Sequence, residues 1–379
     1  ILGDKPYERG KTLKLHIDRD LQIAAQRAFG DRVGALVAID PRNGAVLCMT
    51  SNPTFDPNVF AKRVKISDWN AIAQNKKKPL LNRSLDSFYP PGSTFKPLVA
   101  AAALKYGVAN EKTSVHCTGS YYFGRTFRDW SVHGNTDFYR AISHSCNVWF
   151  YAVGRKLGID RIAHVGSQFG IGKATNIDLP EERLRKDGTA GIMPSTEWKK
   201  KRYGKDWIAS ETLSCAIGQG YVEASAMQMA IATAAIANKG RVYKPHILSE
   251  VQDVDGKILK KIEPELVTKV DVEEKHLELV RKGMRKTVES GTGAGAYRGF
   301  DIPVSGKTGT AQNPHGVGHG WFICFAPYDN PTIAIACIVE QGVHGSTSAA
   351  PITRALMDVY FGKKKPHEIE QKSIKAHGD

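Results

Sequence analysis

The sequence predicts an α+β fold, with an antiparallel sheet flanked by helices and an all-helical lobe inserted into it. Three observations lead to this prediction. Strand-like segments occur near both ends of the chain, a predominantly helical stretch separates them at about 68–238, and Asn43-Gly44 is a strong hairpin signal. A chain of 379 residues with 41% hydrophobic content can bury a sizeable core, as one large domain or two.

The strands are predicted from alternating residues and the helices from apolar runs. Alternation around Asn43-Gly44 predicts a hairpin with strands at 34–40 and 45–51. The segments expected to complete the sheet are 243–254, 303–310, 320–326 and 332–339. The expected helices are one that follows Gly92, two at about 137–157 and 224–238, and a closing helix at 351–361. Distant parts of the chain therefore complete one sheet, and a catalytic site is expected where the lobe meets it.

The net positive charge of the chain indicates which kinds of molecule it could bind. The chain has 53 Lys and Arg against 38 Asp and Glu, a formal net charge of +15, which by itself suggests nucleic acid or an anionic surface. The basic residues are scattered among Gly-rich segments and form no recognised nucleic-acid-binding module, so a membrane face or an acidic cell wall is favoured. No stretch approaches the roughly twenty apolar residues of a membrane span, and the sequence at Ile1 is not that of a signal peptide.

The most informative segment runs from Tyr89 to Pro97 and contains the pair Ser93 and Lys96. Two prolines and Gly92 break the preceding segment, and the apolar run that follows predicts a buried helix with Ser93 in its first turn. Residues three apart lie on one helix face, so Lys96 can reach the Ser93 hydroxyl. A lysine whose pKa is lowered by burial and by a neighbouring cation can take the hydroxyl proton, which makes the serine a nucleophile.

Two further motifs follow in order along the chain, Ser145-Cys146-Asn147 and Lys307-Thr308-Gly309-Thr310. Taken alone, Ser93 and Lys96 would indicate only a capped helix with a solvated lysine. Taken alone, the motif at Lys307 would indicate only an edge strand that ends in a turn. Together, the ordered triple is the set used by penicillin-interacting serine acyl enzymes.

With these motifs the chain resembles, over nearly its whole length, the transpeptidase domain of class B penicillin-binding proteins, and most of all the penicillin-binding protein 2 group of elongation-specific D,D-transpeptidases. Further matching segments are His16-Ile17-Asp18, Ser51-Asn52-Pro53, Asn82-Arg83, Ile217-Gly218-Gln219-Gly220, Ser290-Gly291-Thr292-Gly293 and His319-Gly320-Trp321-Phe322. The resemblance implies the fold shared by penicillin-binding proteins and serine β-lactamases. It also implies that residues 1–12 end a connection to a non-catalytic pedestal, that 13–362 form the transpeptidase domain, and that 363–379 form a mobile tail.

The resemblance implies a role for each residue of the first two motifs. Ser93 attacks the carbonyl of the penultimate D-alanine of a peptidoglycan stem peptide, releases the terminal D-alanine and is left acylated. Lys96 is the expected base for acylation. Ser145 is expected to relay the proton to the leaving amine, and Asn147 to hold Lys96 and the substrate amide.

The third motif is expected to bind the substrate. Lys307 should lower the pKa of Lys96 and attract the terminal carboxylate, to which Thr308 and Thr310 offer hydroxyls. Gly309 should let the strand approach the substrate without a side chain in the way. The backbone amides of the nucleophilic serine and of Thr310 form the expected oxyanion hole.

The resemblance further implies a protein at the periplasmic face of the bacterial inner membrane, anchored by an N-terminal helix absent from this chain. It would cross-link stem peptides during cell-wall elongation, be inactivated by β-lactams, and need no cofactor for catalysis. Its implied partners are a membrane glycan polymerase and a periplasmic scaffold of the elongation machinery.

A serine β-lactamase and a β-lactam-binding sensor domain are the alternatives. Class A β-lactamases use a glutamate in a Glu-x-x-Leu-Asn context to activate the hydrolytic water, and residues 178–183 lack that context. Class D enzymes carry an apolar residue where this chain has Asn147. The turnover of a bound β-lactam would separate these readings.

The cysteines point to a second site. Of the six cysteines, Cys48, Cys215, Cys324 and Cys337 lie in apolar segments and are expected to be buried free thiols. The other two, with an aspartate and a histidine between them, are candidate ligands for a closed tetrahedral zinc ion; the set is Cys117, Asp129, His133 and Cys146, with His116 and His144 as spare candidates.

Some members of the penicillin-binding protein 2 group resemble this pattern, with a metal site of two aspartates, a histidine and a cysteine beside the active site. Cys117 stands where the first aspartate would be. Such a zinc ion would be structural and would tie the loop from Cys117 to His133 to the segment that carries Ser145. A Cys117–Cys146 disulfide in an oxidising periplasm, or two unpaired thiols, are the alternatives.

Overall fold

The structure is a computed structural model that describes residues 9–180, 182–313 and 316–371. The helices are α1 (Arg19–Phe29), α2 (Ile66–Ala73), α3 (Lys96–Lys105), α4 (Phe138–Ser143), α5 (Asn147–Leu157), α6 (Ile159–Gln168), α7 (Thr196–Tyr203), α8 (Ala209–Ala216), α9 (Ala226–Ala237), α10 (Glu274–Glu289), α11 (Ala294–Tyr297) and α12 (Ala350–Tyr360). The strands are β1 (Thr12–Leu15), β2 (Gly34–Ile39), β3 (Val46–Asn52), β4 (Val115–Cys117), β5 (Ser120–Phe123), β6 (Arg125–Arg128), β7 (Gly134–Thr136), β8 (Arg241–Tyr243), β9 (Leu248–Gln252), β10 (Ile258–Lys261), β11 (Leu266–Lys269), β12 (Ser305–Asn313), β13 (Gly316–Ala326) and β14 (Ile333–Val339).

A five-stranded antiparallel sheet in the order β12-β13-β14-β2-β3 forms the centre of the fold. The predicted hairpin joins β2 to β3, and Gly44 in its turn has a φ of 86°, which favours glycine. A single row of paired residues crosses the sheet, from Thr310 through Gly320, Val339 and Gly34 to Asn52. Strands from both ends of the chain therefore complete one sheet, and β12 forms one of its edges.

Hydrophobic layers cover both faces of the sheet. On one face, buried residues of α1 and α12 such as Phe29 and Leu356 pack against the strands. On the other face lie α9 and the helical lobe. Every residue of α9 is buried, which suits its run of Ala, Met and Ile, and reciprocal hydrogen bonds between Ser225 and Gln228 fix where it begins. The predicted α+β class is confirmed.

The prediction of an all-helical lobe is wrong. Between α3 and α4 the lobe contains two small sheets, in which β4 pairs with β7 and β5 pairs with β6. These strands have three or four residues each. Such short strands show too little alternation to be recognised in the sequence.

Two predicted elements are interrupted. The helix expected at about 137–157 is divided into α4 and α5, because Ser145 adopts a φ of 58°, outside the helical region. The strand expected at 243–254 is also divided, into β8 and β9, on either side of Pro245. Proline lacks the N–H that a strand interior needs. The amphipathic α10, whose Leu277, Val280 and Met284 are buried, was not predicted.

The prediction that a mobile tail begins at residue 363 is wrong for its first residues. Ile369 is buried, and the carbonyl oxygens of His367 and Ile369 accept hydrogen bonds from Arg27 of α1. Residues 372–379 of the expected tail, like 1–8 of the expected pedestal connection, lie outside the described residues. In the described part of the chain, none of the helices has the length and apolar character needed to cross a membrane.

Candidate active site

Ser93 lies on a tight turn that runs directly into a helix. It belongs to the 3₁₀ turn Gly92–Phe95, and Lys96 is the first residue of α3. Ser93 was expected in the first turn of the α-helix. It lies instead in the 3₁₀ turn that directly precedes α3. The turn begins at Gly92, which has a φ of 54°, and a Cβ there would lie 2.5 Å from the carbonyl oxygen of Thr310. Only glycine lets the turn approach β12 this closely.

Lys96 brings the first two motifs together. Its Nζ donates hydrogen bonds to the carbonyl oxygen of Ser145 at 2.7 Å and to Asn147 Oδ1 at 2.6 Å, and Ser145 Oγ lies 3.2 Å away. Asn147 begins α5, and Ser145 occupies the left-handed region that non-glycine residues rarely adopt. Such strain persists where the surroundings impose it, and it is common at functional sites.

The side chain of Lys96 is completely buried. Burial lowers its pKa from 10.5 to about 8, against the opposing effect of the Asp129 carboxylate. A lysine in this range is partly neutral near physiological pH. It can therefore act as a base, which an ordinary exposed lysine cannot do efficiently.

The third motif places a second buried lysine beside the first. Lys307 on β12 is fully buried, and its Nζ donates to the carbonyl oxygen of Thr308 at 2.9 Å. Burial, and then the positive charge of Lys96, lower the pKa of Lys307 well below its ordinary value. The Thr308 hydroxyl is held 2.6 Å from that of Thr292. The predicted proximity of the two lysines is therefore present in the structure.

Gly309 is required for a different reason from the one expected. A Cβ at this position would lie 2.9 Å from Thr94 Cγ2 and 3.0 Å from the carbonyl oxygen of Pro91. Both atoms belong to the segment around the nucleophile. The glycine thus lets β12 pack against the turn Gly92–Phe95, which carries the predicted nucleophile Ser93. We call it the nucleophile turn.

The backbone of Thr310 faces away from the sheet. Its carbonyl oxygen accepts a hydrogen bond from Gln219 Nε2 at 3.1 Å, on the side opposite β13. In an antiparallel strand, the N–H and C=O groups of one residue point to the same side. The Thr310 N–H therefore points off the edge of the sheet toward the nucleophile turn, the direction that an oxyanion-hole donor needs.

The four predicted metal ligands form one cluster. One donor atom from each of Cys117, Asp129, His133 and Cys146 lies within 4.8 Å of the others. Asp129 Oδ2 is 3.5 Å from Cys117 Sγ, 3.3 Å from Cys146 Sγ and 3.5 Å from His133 Nδ1, and Cys117 Sγ is 3.6 Å from His133 Nδ1. Metal–ligand bonds of about 2.0–2.3 Å in a tetrahedron place the ligand atoms about 3.3–3.8 Å apart, so the cluster fits zinc.

The histidine of the cluster suits a metal as it stands, whereas burial raises the pKa of the Cys146 thiol, so a metal ion would have to displace the thiol proton on binding. Burial lowers the pKa of His133, so the imidazole is neutral, as a metal ligand must be. Both cysteines are buried free thiols, and the disulfide considered from the sequence is not formed. His116 is bonded to Asn135 instead, and His144 to Ser143, so neither spare candidate joins the cluster.

The cluster is tied directly to the catalytic residues. Asp129 Oδ2 accepts a hydrogen bond from the backbone N–H of Val148, in the first turn of α5, at 2.9 Å. The neighbouring Trp130 donates its indole N–H to the carbonyl oxygen of Ser145 at 3.3 Å, the same oxygen that binds Lys96. Fixing the cluster therefore also fixes the groups that surround Lys96.

The region comparable to the class A glutamate has a structural role. Glu182 accepts hydrogen bonds from the backbone N–H groups of Thr175 and Asn176, and Asp178 accepts from those of Ile247 and Leu248. Both carboxylates are held by the backbone. This arrangement does not suit a base that activates a hydrolytic water.

Sequence reasoning assigned no role to three residues that contact the motifs, Gln219, Thr292 and Trp130. The first two lie in segments recognised as matching the family, but a resemblance in sequence does not show what each residue touches. Trp130 lies next to a predicted ligand, and nothing in its sequence context indicates its hydrogen bond to Ser145.

A second group of unassigned residues lies behind the nucleophile turn. Glu340 Oε1 accepts hydrogen bonds from Tyr89 Oη at 2.7 Å and from Arg83 Nε at 2.8 Å. Trp321 donates its indole N–H to the carbonyl oxygen of Pro90 at 3.1 Å. These bonds attach the segment before Ser93 to the end of the central sheet.

Comparisons with known proteins agree with this arrangement. Residues 34–358 match the family model described as the penicillin binding protein transpeptidase domain. The peptidoglycan D,D-transpeptidase MrdA of Acinetobacter baumannii is 34% identical over 100% of this chain and 58% of its own length. The chain therefore spans less than two thirds of this curated relative.

Solved structures share the fold. Penicillin-binding protein 2 of Pseudomonas aeruginosa, in complex with WCK 5153, matches with a TM-score of 0.85 and 36% identity over 98% of this chain and 79% of that one. Penicillin-binding protein 2 of Helicobacter pylori, in a complex with MreC, matches with a TM-score of 0.81 and 30% identity over 93% of this chain and 64% of that one. Because the family model matches most of its length and the three motifs lie next to one another in the fold, the chain belongs to the penicillin-binding protein transpeptidase family.

Proposed function

We propose that this chain is the catalytic part of a peptidoglycan D,D-transpeptidase that cross-links stem peptides through a serine acyl-enzyme during cell-wall elongation. One observation carries the proposal. Lys96 is completely buried beside the nucleophile turn, and among the described residues its Nζ hydrogen-bonds only to uncharged oxygens of the second motif, Ser145 O, Ser145 Oγ and Asn147 Oδ1. This is the setting in which a lysine can take a proton from a serine hydroxyl.

In the first half-reaction, Ser93 Oγ forms a bond to the carbonyl carbon of the penultimate D-alanine as its proton passes to neutral Lys96. The peptide C–N bond then breaks, and the leaving amine of the terminal D-alanine takes a proton relayed by the Ser145 hydroxyl. In the second half-reaction, the amine of another stem peptide attacks the acyl-enzyme and loses a proton along the same route. Ser93 recovers its hydrogen, so the enzyme is unchanged at the end.

The contacts of Lys96 suit this proton route. A neutral lysine has two N–H donors and one lone pair. The carbonyl oxygen of Ser145 and the Oδ1 atom of Asn147 can only accept, so they take both donors. The lone pair is then left for a hydroxyl, and Ser145 Oγ is 3.2 Å away. Ser145 can thus pass a proton between Lys96 and the leaving amine.

Lys307 and the edge of β12 are proposed to bind the substrate. Lys307 forms no ion pair with any described residue, and a bound carboxylate beside its Nζ would favour the charged form, so it can attract the terminal carboxylate of the stem peptide or of a β-lactam. The hydroxyls of Thr308 and Thr310 would add hydrogen bonds to that carboxylate. The N–H groups of Ser93 and Thr310 would stabilise the oxyanion that forms on attack.

Intact-protein mass spectrometry after exposure to a β-lactam tests the proposal. We expect one stable adduct per chain, located on Ser93 and absent from Ser93→Ala. An adduct on another residue would rule out the assigned nucleophile. Release of the adduct within seconds would favour the β-lactamase alternative.

We also propose that Cys117, Asp129, His133 and Cys146 hold a structural zinc ion. The donor types are those zinc prefers, two cysteine sulfurs that it binds as thiolates, a carboxylate and a neutral imidazole, and four of their separations, 3.3–3.6 Å, fit a tetrahedron. Four protein ligands leave no position for a reacting water. The ion would act by fixing the beginning of α5, while the serine chemistry needs no cofactor.

Elemental analysis of protein purified without added metal should then give about one zinc per chain. A chelator and Cys146→Ser should both lower the melting temperature and slow acylation. Cys215→Ser is the matched control, because Cys215 is buried in α8 and outside the cluster. Fully active protein without any metal would contradict the proposal.

The proposed location and partners follow from the substrate. Peptidoglycan is polymerised outside the cytoplasmic membrane, so we propose action at the periplasmic face of the inner membrane, with a membrane glycan polymerase and a periplasmic scaffold as partners. The Helicobacter pylori relative was solved in a complex with MreC, which supports the scaffold. Pull-down of the full-length protein with each partner tests this step.

A further inference from the structure

The segment between β3 and Arg83 combines exposed cations with exposed rings. We call residues 55–78 the aromatic–basic segment. It contains six cations and two acidic residues, a net charge of +4; they are Lys62, Arg63, Lys65, Lys76, Lys77, Lys78, Asp56 and Asp68. All eight of these charged residues are exposed.

The helix in this segment has no buried residue. In α2, Ile66 is 80% exposed and Trp69 is 46% exposed. An isolated helix of this length is marginal in water, so helices of this kind normally depend on packing of their apolar side. Phe55, Phe60 and Trp69 form a chain of ring contacts, with centroids 5.6 and 6.4 Å apart. The segment therefore presents an apolar surface bordered by cations.

The basic turn at the end of the segment is held rigidly. Arg83 is 3% exposed, and it donates to the carbonyl oxygens of Lys77 at 2.6 Å and Lys78 at 3.0 Å. Lys78 has a φ of 49°, a strained conformation for a residue with a side chain. The same guanidinium binds Glu340, which also binds Tyr89 ahead of the nucleophile turn. The network that supports Ser93 thus also positions these lysines.

The segment starts at a defined distance from the substrate motif. Asn52, the last residue of β3, lies in the row of paired residues that ends at Thr310 on β12. Four strand spacings of about 4.8 Å separate the two ends, or about 19 Å. An extended peptide of about five residues spans a similar length, about 17 Å. A stem peptide with its D-alanine end at Ser93 can therefore place its sugar near this segment.

We propose that the aromatic–basic segment binds the glycan strand that carries the stem peptide, with sugar rings on Phe60 and Trp69 and peptide carboxylates on the lysines. This proposal rests on the proposed function. The negative face of an aromatic ring attracts the C–H face of a sugar, and the cations complement the carboxylates of stem peptides. An anionic membrane would meet the same charges. The glycan is favoured because the segment begins just after Asn52, which lies in the same row of paired residues as Thr310, at the distance that a stem peptide spans.

Binding to purified, insoluble peptidoglycan by co-sedimentation tests the proposal. The triple variant Lys62→Ala, Trp69→Ala, Lys76→Ala should bind about tenfold more weakly, a change of about 1.4 kcal/mol. The matched control removes the same charges and one exposed ring elsewhere, Lys201→Ala, Tyr122→Ala, Lys205→Ala, and should bind as the unmodified protein does. Both variants should keep the melting temperature and the rate of β-lactam acylation at Ser93, because none of these residues contacts the cleft.

Three outcomes would overturn the proposal. Equal loss in both triple variants would mean that binding depends only on overall charge. Unchanged binding in the first variant would exclude the segment. Binding of the segment to anionic phospholipid vesicles, but not to peptidoglycan, would assign it to a membrane. Failure of the proposed function would look different, since the unmodified protein would then form no stable β-lactam adduct at Ser93.

Discussion

Buried basic side chains occur in two neighbouring regions of this molecule. In one region they have no carboxylate partner, and in the other they are paired with a carboxylate. In the cleft, Lys96 and Lys307 are completely buried and bonded only to uncharged oxygens. Behind the nucleophile turn, Arg83 is almost as deeply buried, but it is paired with Glu340 at 2.8 Å. The arginine is satisfied by its partner, whereas the lysines keep a charge that costs free energy to bury.

Other buried cations follow the second pattern. Lys199 is paired with Glu211 at 2.6 Å, and Arg281 with Glu278 at 3.0 Å. Burial of a cation therefore does not identify a functional residue in this protein. Burial without a carboxylate partner does so better, because the uncompensated cost of burying the charge lowers the lysine pKa and leaves the side chain available to a substrate.

The largest effect expected in the cleft is that of Lys96→Arg. Guanidinium keeps its charge and cannot be deprotonated near neutral pH, so it cannot take the proton of Ser93. We expect the acylation rate to fall by roughly 10²–10⁴-fold, the usual contribution of a general base. Stopped-flow measurement with a chromogenic β-lactam checks it.

A control separates lost chemistry from lost structure. Lys199→Arg makes the same exchange at a paired lysine and should leave acylation unchanged. Substantial acylation by Lys96→Arg would mean that Lys96 acts only through its charge and that another group takes the proton.

Arg83→Met tests the opposite side of the comparison. Removing the guanidinium leaves the partly buried Glu340 without its cation and frees the turn at Lys78. We expect the free energy of unfolding to fall by about 3 kcal/mol. Chemical denaturation checks this value. Lys96→Met should lose less stability, because the loss of its hydrogen bonds to Ser145 and Asn147 is offset by removal of an unpaired buried charge. An equal loss in both variants would break the comparison.

Lys307→Ala should have a smaller effect on acylation than Lys96→Arg. It removes the charge that attracts the carboxylate of a β-lactam, but it leaves the base in place. A fall of at least about tenfold in the second-order rate corresponds to about 1.4 kcal/mol. An unchanged rate would mean that Lys307 does not bind the substrate. As a control, a β-lactam ester, which lacks the free carboxylate, should acylate the variant and the unmodified protein at nearly the same rate.

The sequence predicted which side chains form the candidate active site better than it predicted how the surrounding backbone packs. Ser93, Lys96, Ser145, Asn147 and the β12 motif carry side chains whose types and order are specific. The structure joins Lys96 to Ser145 and Asn147 and packs β12 against the turn that carries Ser93. The sequence did not predict why Gly309 must be glycine, because the atoms it avoids belong to a distant turn.

The supporting network could not be predicted at all. Arg83 and Glu340 are separated by 257 positions in the chain, and neither lies in a motif with a known partner. Sheet strands such as β2 and β14 were recognisable because nearly all their residues are apolar. The short strands around Cys117 were not, although the ligand types alone predicted the cluster that they carry.

The smallest effect concerns pH, and it distinguishes the two regions without any mutation. Lys96 must be neutral to take a proton, and burial has lowered its pKa from 10.5 to about 8. The neutral fraction therefore rises about tenfold from pH 7 to well above 8 and then levels off, and the acylation rate at saturating β-lactam should follow it. The folded state binds fewer protons than the unfolded chain between about pH 8 and 10.5, so stability should also rise with pH in that window. The pair of Arg83 and Glu340 should add nothing there, because a paired guanidinium stays charged. A rate that falls as the pH rises from 7 to 9 would mean that Lys96 is needed as a cation, and that the unpaired lysines of the cleft only bind the substrate.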